Sequence, residues 1–251
     1  MTTIFGSPMF RRVLATQEFT RDYLLRKGLC AERDITTHYG GFVQYVQEDV
    51  RPRRYYPADK PTFDLAFVAA RYMPRGMNKG YDLFLRTART LCARHDDMRF
   101  HVVGNWDPDE IDVSDLGDRI TFHGYLSAEE LVELYTGIDV LLTPNRPLAF
   151  MKQFDGFPLG IDAGYCGVAV FTADELGMNR HYEEGEEIVR ISLMPKEIAA
   201  VVERYYHEPE ALRALARRGQ ARFQELFRRD DQIAARIAMF QSCLEDPRNR
   251  G

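Results

Sequence analysis

The chain has 251 residues, 45% of them hydrophobic, and can bury a sizeable core as one large domain or as one domain with an appendage. Its charges are mixed in sign and sum to −5, which argues against a general nucleic-acid binder, since such proteins are normally basic overall. The four cysteines (Cys30, Cys92, Cys166, Cys243) form no C-x-x-C pair and have no histidine nearby at metal spacing, so unpaired thiols in a reducing cytosol are expected.

No apolar run approaches the ~20 residues of a membrane-spanning helix. The segment MTTIFGSPMFRR lacks the apolar stretch of a secretory signal. Arg12–Ala15 reads as a short strand, followed by a helix from Thr16 or Thr20 to Lys27 that Gly28 ends. Asp34–His38 reads as another strand, with Tyr39–Gly40–Gly41 turning out of it. Glu48–Pro61, with three prolines, reads as a linker. Its basic cluster Arg51, Arg53 and Arg54 reads as solvated; peripheral contact with an anionic membrane surface, the inner face in a cytosolic protein, is the alternative.

An α/β pattern then begins. Phe63–Ala70 is an apolar run suited to a buried strand, and Tyr81–Arg94 is an amphipathic helix with Leu83, Phe84, Ala88, Leu91 and Cys92 on its inner side. Arg99–Val103 and Arg119–Phe122 are further strands. Ser127 and Glu130 have the spacing of a capping box opening a helix over Ala128–Thr136. Strands are expected at Ile138–Leu142, Val168–Phe171 and, at an edge, Ile188–Ile191. Between the first two, a polar loop leads to a short helix starting near Pro158 or Leu159. Its amino end would offer N–H groups to a phosphate, with Asp155 at the mouth and Asp162 one turn inside. From Pro195 three helices follow, Pro195–Tyr206, Glu208–Phe227 and Asp231–Glu245. The last two carry apolar stripes, Leu212, Leu215, Phe223 and Leu226, then Ile233, Ile237, Phe240 and Leu244.

In an open parallel sheet, ligands bind beyond the carboxyl ends of the strands. The residues that follow strands here are Arg71 and Lys79; Gly104 and Asn105; His123 to Tyr125; and Asn145 to Gly160. Two cations on the first loop and a helix start on the fourth could grip a diphosphate from two sides, through charge-assisted contacts. Each has a plainer reading as a surface cation or an ordinary cap. Lys79 departs from it slightly, because lysine is unfavourable at a helix amino end. His38, His101 and His123 read as structural, and Trp106 as packing rather than as a platform for a base.

Taken in order, Arg71, Lys79–Gly80, the strand to Gly104, ITFHGYLSAEELVELYTGIDVLLTPN, DGFPLGIDAGYCGVAVFTAD and the helical tail resemble the C-terminal half of the group 1 glycosyltransferases. These are retaining enzymes of GT-B architecture, with two Rossmann-like domains facing across a cleft. The resemblance covers about Asp64 to Leu244. It implies a Rossmann-like parallel sheet flanked by helices over 61–251, with a helical C-terminal tail, binding a nucleotide-sugar donor. Residues 1–60 resemble only the end of the other domain plus the linker.

The resemblance further implies that Arg71 and Lys79 contact the donor diphosphate and that Asp155 approaches the sugar hydroxyls. Asp162 would bind the ribose, and Gly124–Tyr125 would clamp the base. Gly104, Asn145 and the stretch Gly156, Phe157, Pro158, Leu159 and Gly160 would complete the donor pocket. The donor is expected to be a UDP- or GDP-sugar and the acceptor a glycan or a lipid-linked acceptor, in polysaccharide or glycoconjugate synthesis. Leaving-group charge would rest on Arg71, Lys79 and the helix dipole, with no metal expected. Three features depart from the family: both acidic positions are aspartate instead of glutamate, they stand seven residues apart, one fewer than usual, and the Arg71-to-Lys79 loop is a few residues longer than the common form. Most of the acceptor-side domain has no counterpart in this chain. The alternatives are therefore a non-catalytic nucleotide-sugar-binding or scaffold domain, or one half of a split enzyme whose partner chain supplies the acceptor side. A flavodoxin-like or receiver-like domain explains none of the Arg71, Lys79 and Asp155 series.

Overall fold

The structure, a computed structural model, describes residues 2–40, 51–108, 111–147 and 160–250. It divides into two compact units, one of Met1–Gln44 with Gln224–Gly251 and one of Tyr45–Phe223. The final α-helix thus groups with the N-terminal segment.

The smaller unit begins with α1 (Thr2–Phe5), β1 (Val13–Ala15), α2 (Glu18–Arg26) and β2 (Ile35–Thr37). β1 and β2 pair in parallel. Gly28 takes φ +59°, which lets the Gly28 and Leu29 N–H groups close back on the Leu25 and Leu24 carbonyls and end α2. Arg248 joins the two segments of this unit, pairing with Asp34 at 3.0 Å and with Asp246 at 2.7 Å.

The larger unit runs β3 (Phe63–Val68), α3 (Tyr81–Cys92), β4 (Met98–Val103), β5 (Ile120–Gly124), α4 (Ala128–Tyr135), β6 (Val140–Thr143), α5 (Ile161–Tyr165), β7 (Ala169–Thr172), β8 (Val189–Arg190), α6 (Pro195–His207) and α7 (Pro209–Leu226). Its six strands form one parallel sheet in the order β5-β4-β3-β6-β7-β8. The core lies on both faces, as the apolar runs require. Alternate residues Phe63, Leu65 and Phe67 of β3 join a cluster with Phe84 and Leu91 of α3, Val202 of α6 and Leu215 of α7. Ala66 faces the opposite cluster, with Leu131 and Tyr135 of α4 and Ala163 of α5. The capping box forms as its spacing predicts: Glu130 N–H donates to Ser127 Oγ at 3.2 Å, and Ser127 N–H donates to Glu130 Oε2 at 2.8 Å.

Two expectations need correction. The basic cluster is not simply solvated: Arg53 donates to the Tyr135 carbonyl at 2.5 Å and also to that of Ile138, while Arg54 N–H donates to Thr136 O at 2.8 Å. Arg51 pairs with Glu133 at 2.7 Å. The Arg53 guanidinium thus caps the carboxyl end of α4 at Tyr135, where orphan carbonyls and the helix dipole favour positive charge. The stripe on α8 (Arg229–Leu244) is also not a buried face. Ile237, Phe240 and Leu244 are 50, 61 and 80% exposed, whereas Leu212, Leu215 and Phe223 of α7 are buried as expected. Among the described residues, no helix is long and apolar enough to cross a membrane.

Candidate functional site

From β3 the chain moves outward through β4 to β5, then returns to the other side of β3 for β6, β7 and β8. The order reverses between β3 and β6, and at such a switch point the loops leaving adjacent strands diverge and open a crevice. Arg71, Lys79 and Asn145 follow these two strands, so the topology brings the main candidate residues to one edge.

The loop after β3 is tightly built. Arg71 N–H donates to Asn105 Oδ1 at 2.6 Å, and Asn105 Nδ2 donates back to the Arg71 carbonyl at 2.8 Å. The Trp106 indole N–H donates to the Ala69 carbonyl at 2.6 Å. Its rings cover Gly76 so closely that a Cβ there would stand 2.2 Å from them. Trp106 is only 7% exposed and packs on Tyr81 and Phe67, which fits packing and not base stacking. A 3-10 segment, Pro74–Lys79, carries left-handed backbone at Arg75 and Gly76 and delivers Lys79 to the start of α3. Lys79 is 9% exposed, with its ammonium 5.1 Å from the centre of the Tyr72 ring, within cation–π range. Gly80 takes φ +72° and lies where a Cβ would be 2.0 Å from the Pro144 carbonyl oxygen, so the loops after β3 and β6 touch there.

At the other exits, Gly104 takes φ +123° and donates its N–H to the Gly124 carbonyl at 2.8 Å, tying the ends of β4 and β5 together. Tyr125, the next residue, is 71% exposed. Asn145 is buried beyond β6, and Arg146 N–H donates to the Asn78 carbonyl at 3.0 Å while its guanidinium pairs with Asp82 on the first turn of α3. Asp155, Gly156, Phe157, Pro158 and Leu159 lie outside the described residues. Gly160, at φ +115°, caps α5, and Asp162 is half-buried in its first turn. α5 has only five residues, so its dipole is small.

A second polar cluster starts at the amino ends of β3 and β6 and extends across β4 to β5. Lys60 bridges Asp64 and Asp139, and Asp64 N–H donates to Asp139 Oδ2 at 2.8 Å. His101 Nε2 donates to Asp64 Oδ1 at 2.8 Å, and its Nδ1 lies 3.0 Å from His123 Nε2. Burial, then the neighbouring His101, holds the His123 pKa below the usual histidine value. The two histidines thus bond to each other and, through His101, to Asp64. Sequence reasoning missed Lys60 and Asp139, whose only signal is charge flanking a strand start, and the clamping role of Asn105. Among the described residues, no group of three or more His, Cys, Asp or Glu is arranged to hold a metal ion.

Comparison with known proteins places this geometry. A family profile described as "Glycosyl transferase-like" matches residues 82–238, more than half of the chain. The chain belongs to this glycosyl transferase-like family. Comparison with curated protein sequences returns no match. Among solved structures, the chain is similar to Alr3699/HepE of Anabaena in complex with UDP and glucose, with a TM-score of 0.69 at 15% identity over 91% of this chain and 63% of that one. It is similar also to sucrose-phosphate synthase of Thermosynechococcus elongatus, with a TM-score of 0.69 at 20% identity over 93% of this chain and 58% of that one. The C-terminal domain of the group 1 glycosyl transferase LpcC of Francisella tularensis gives 0.54 at 14% identity, over 75% of this chain and 94% of that domain. The chain therefore has the fold of GT-B glycosyltransferases and spans under two thirds of the length of the first two.

Proposed function

We propose that the chain is the donor-binding half of a retaining, hexosyl-type glycosyltransferase that uses a UDP- or GDP-sugar. The observation that carries this reading is the placement of Arg71 and Lys79 at the two ends of one braced loop, at the switch point between β3 and β6. In this reading both cations face the diphosphate, Asp162 takes the ribose and Asp155 the sugar hydroxyls. That the Anabaena relative is described with UDP and glucose supports the donor class.

The proposed chemistry breaks the bond between the anomeric carbon and the phosphate oxygen and forms one from that carbon to the acceptor oxygen. Positive charge develops on the sugar, as in glycoside hydrolysis, and negative charge on the departing diphosphate. Arg71 and Lys79 stabilise the leaving group electrostatically, and its oxygen takes the acceptor proton on the same face, which gives retention. The mechanism assigns no step to a metal or cofactor. The acceptor is a glycan or a lipid-linked acceptor met in the cytosol, in polysaccharide or glycoconjugate synthesis. Residues 1–60 are the end of the acceptor-side domain plus the linker.

Calorimetric titration with UDP, GDP and ADP tests the reading. Saturable binding of UDP or GDP is expected, and no binding of either at millimolar concentration contradicts it. The seven-residue aspartate spacing favours a second reading, a binding domain or half of a split enzyme without turnover of its own. Release of free sugar from a bound UDP- or GDP-sugar by this chain alone excludes it.

A further inference from the structure

Asn78, immediately before Lys79, is completely buried, and among the described residues neither end of its side-chain amide has a hydrogen-bond partner. Among the described residues it is the one side chain with two buried polar atoms both unpaired. Native structures rarely keep such a group, because each unpaired end has given up water without compensation. Packing alone would be met better by leucine, which has nearly the same shape and no polar atoms. An orphaned polar group of this kind is a reservoir of strain that functional sites retain at the expense of stability.

The position of Asn78 shows what it could control. Its own carbonyl accepts the Arg146 N–H, so its backbone bridges the loops leaving β3 and β6. Two residues on, Gly80 touches Pro144 of that second loop. Any rearrangement that gives the amide partners would shift this bridge, and with it Lys79.

We propose that Asn78 is a positioning residue for donor binding: its amide gains hydrogen bonds when a nucleoside diphosphate binds beside Lys79 and the Pro144–Arg146 segment, which sets Lys79 against the phosphates. This rests on the donor-binding reading above. The partnering energy then appears as affinity for the nucleotide and is missing from the stability of the protein alone.

The test compares wild type with Asn78→Leu and Asn78→Ala, measuring melting temperature without nucleotide and the affinity for UDP and GDP. The expected result for Asn78→Leu is a melting temperature at or above that of wild type, with affinity for the preferred nucleotide reduced about tenfold, one hydrogen bond to a charged group. Asn78→Ala, which avoids any misfit of leucine, is expected to lose affinity similarly with little change in melting. Unchanged affinity in whichever variant folds overturns the proposal, as does a joint fall of melting temperature and affinity, the mark of a merely structural residue. If wild type binds neither nucleotide, the donor reading itself fails and takes this inference with it. If wild type binds and the variants bind equally well, only the inference fails.

Discussion

The Asn105 side chain holds the backbone of Arg71 from both sides, accepting its N–H at 2.6 Å and donating to its carbonyl at 2.8 Å. Asn105 thereby stands in for a neighbouring strand just where β3 and β4 have ended, and prolongs the ordered path of the chain up to the arginine. Asn105→Ala removes both bonds and leaves a partly buried N–H and C=O unpaired. The expected cost is about 1–3 kcal/mol, read as a lower midpoint in urea unfolding with unchanged slope. Nucleotide affinity falls as well, because Arg71 loses its support. Asn105→Asp keeps the acceptor and loses the donor, and should fall between the two.

Gly80 combines left-handed backbone with a contact that leaves no room for a side chain. Gly80→Ala must strain the backbone and push the β3 and β6 loops apart, and is expected to destabilise by roughly 3 kcal/mol or more. Gly177 has a similar φ of +64° but open space around it. Gly177→Ala should cost only the left-handed strain, about 1–2 kcal/mol. Thermal unfolding of the pair separates contact from conformation.

Much of this architecture was legible from apolar periodicity. FDLAFV, VLLT and AVFT read as buried parallel strands and are β3, β6 and β7, and Ser127, Gly28 and Pro195 mark helix ends where their chemistry puts them. Periodicity says which residues share a face but not what covers it. The stripe of α8 therefore reads like that of α7 in sequence, although Ile237, Phe240 and Leu244 are exposed. Arg53 looked solvated because the carbonyls it caps, Tyr135 and Ile138, are more than 80 residues away along the chain. The site was legible as far as strand exits go: Arg71, Lys79, Gly104, Gly124 and Asn145 all fall at one sheet edge once the parallel order is known. What braces them was not, because an asparagine after a strand reads as an ordinary turn residue.

Within the cluster around Lys60, Asp64 contributes acid sensitivity of a defined sign. Burial alone would raise the Asp64 pKa, but the hydrogen bond from His101 and the charge and hydrogen bond of Lys60 outweigh it and hold the group down to about 2. An unfolded aspartate titrates near 3.9, so the unfolded chain takes up this proton first. The stabilisation, about 2 kcal/mol, is present above pH ~4 and is lost as pH falls toward 2. Asp64→Asn should be less stable than wild type at pH 7 and lose less stability between pH 5 and 2. An equal loss of unfolding free energy in the two proteins between pH 5 and 2 would contradict the assignment.

The central claim is that the cations beside β3 hold a nucleotide diphosphate, and Lys79→Ala tests it most directly. Calorimetric titration of UDP and GDP into wild type and Lys79→Ala should give at least a tenfold weaker Kd for the variant, about 1.4 kcal/mol or more, as expected for a charge-assisted phosphate contact. The variant should fold and melt close to wild type. Equal nucleotide affinity in the two proteins would contradict the account.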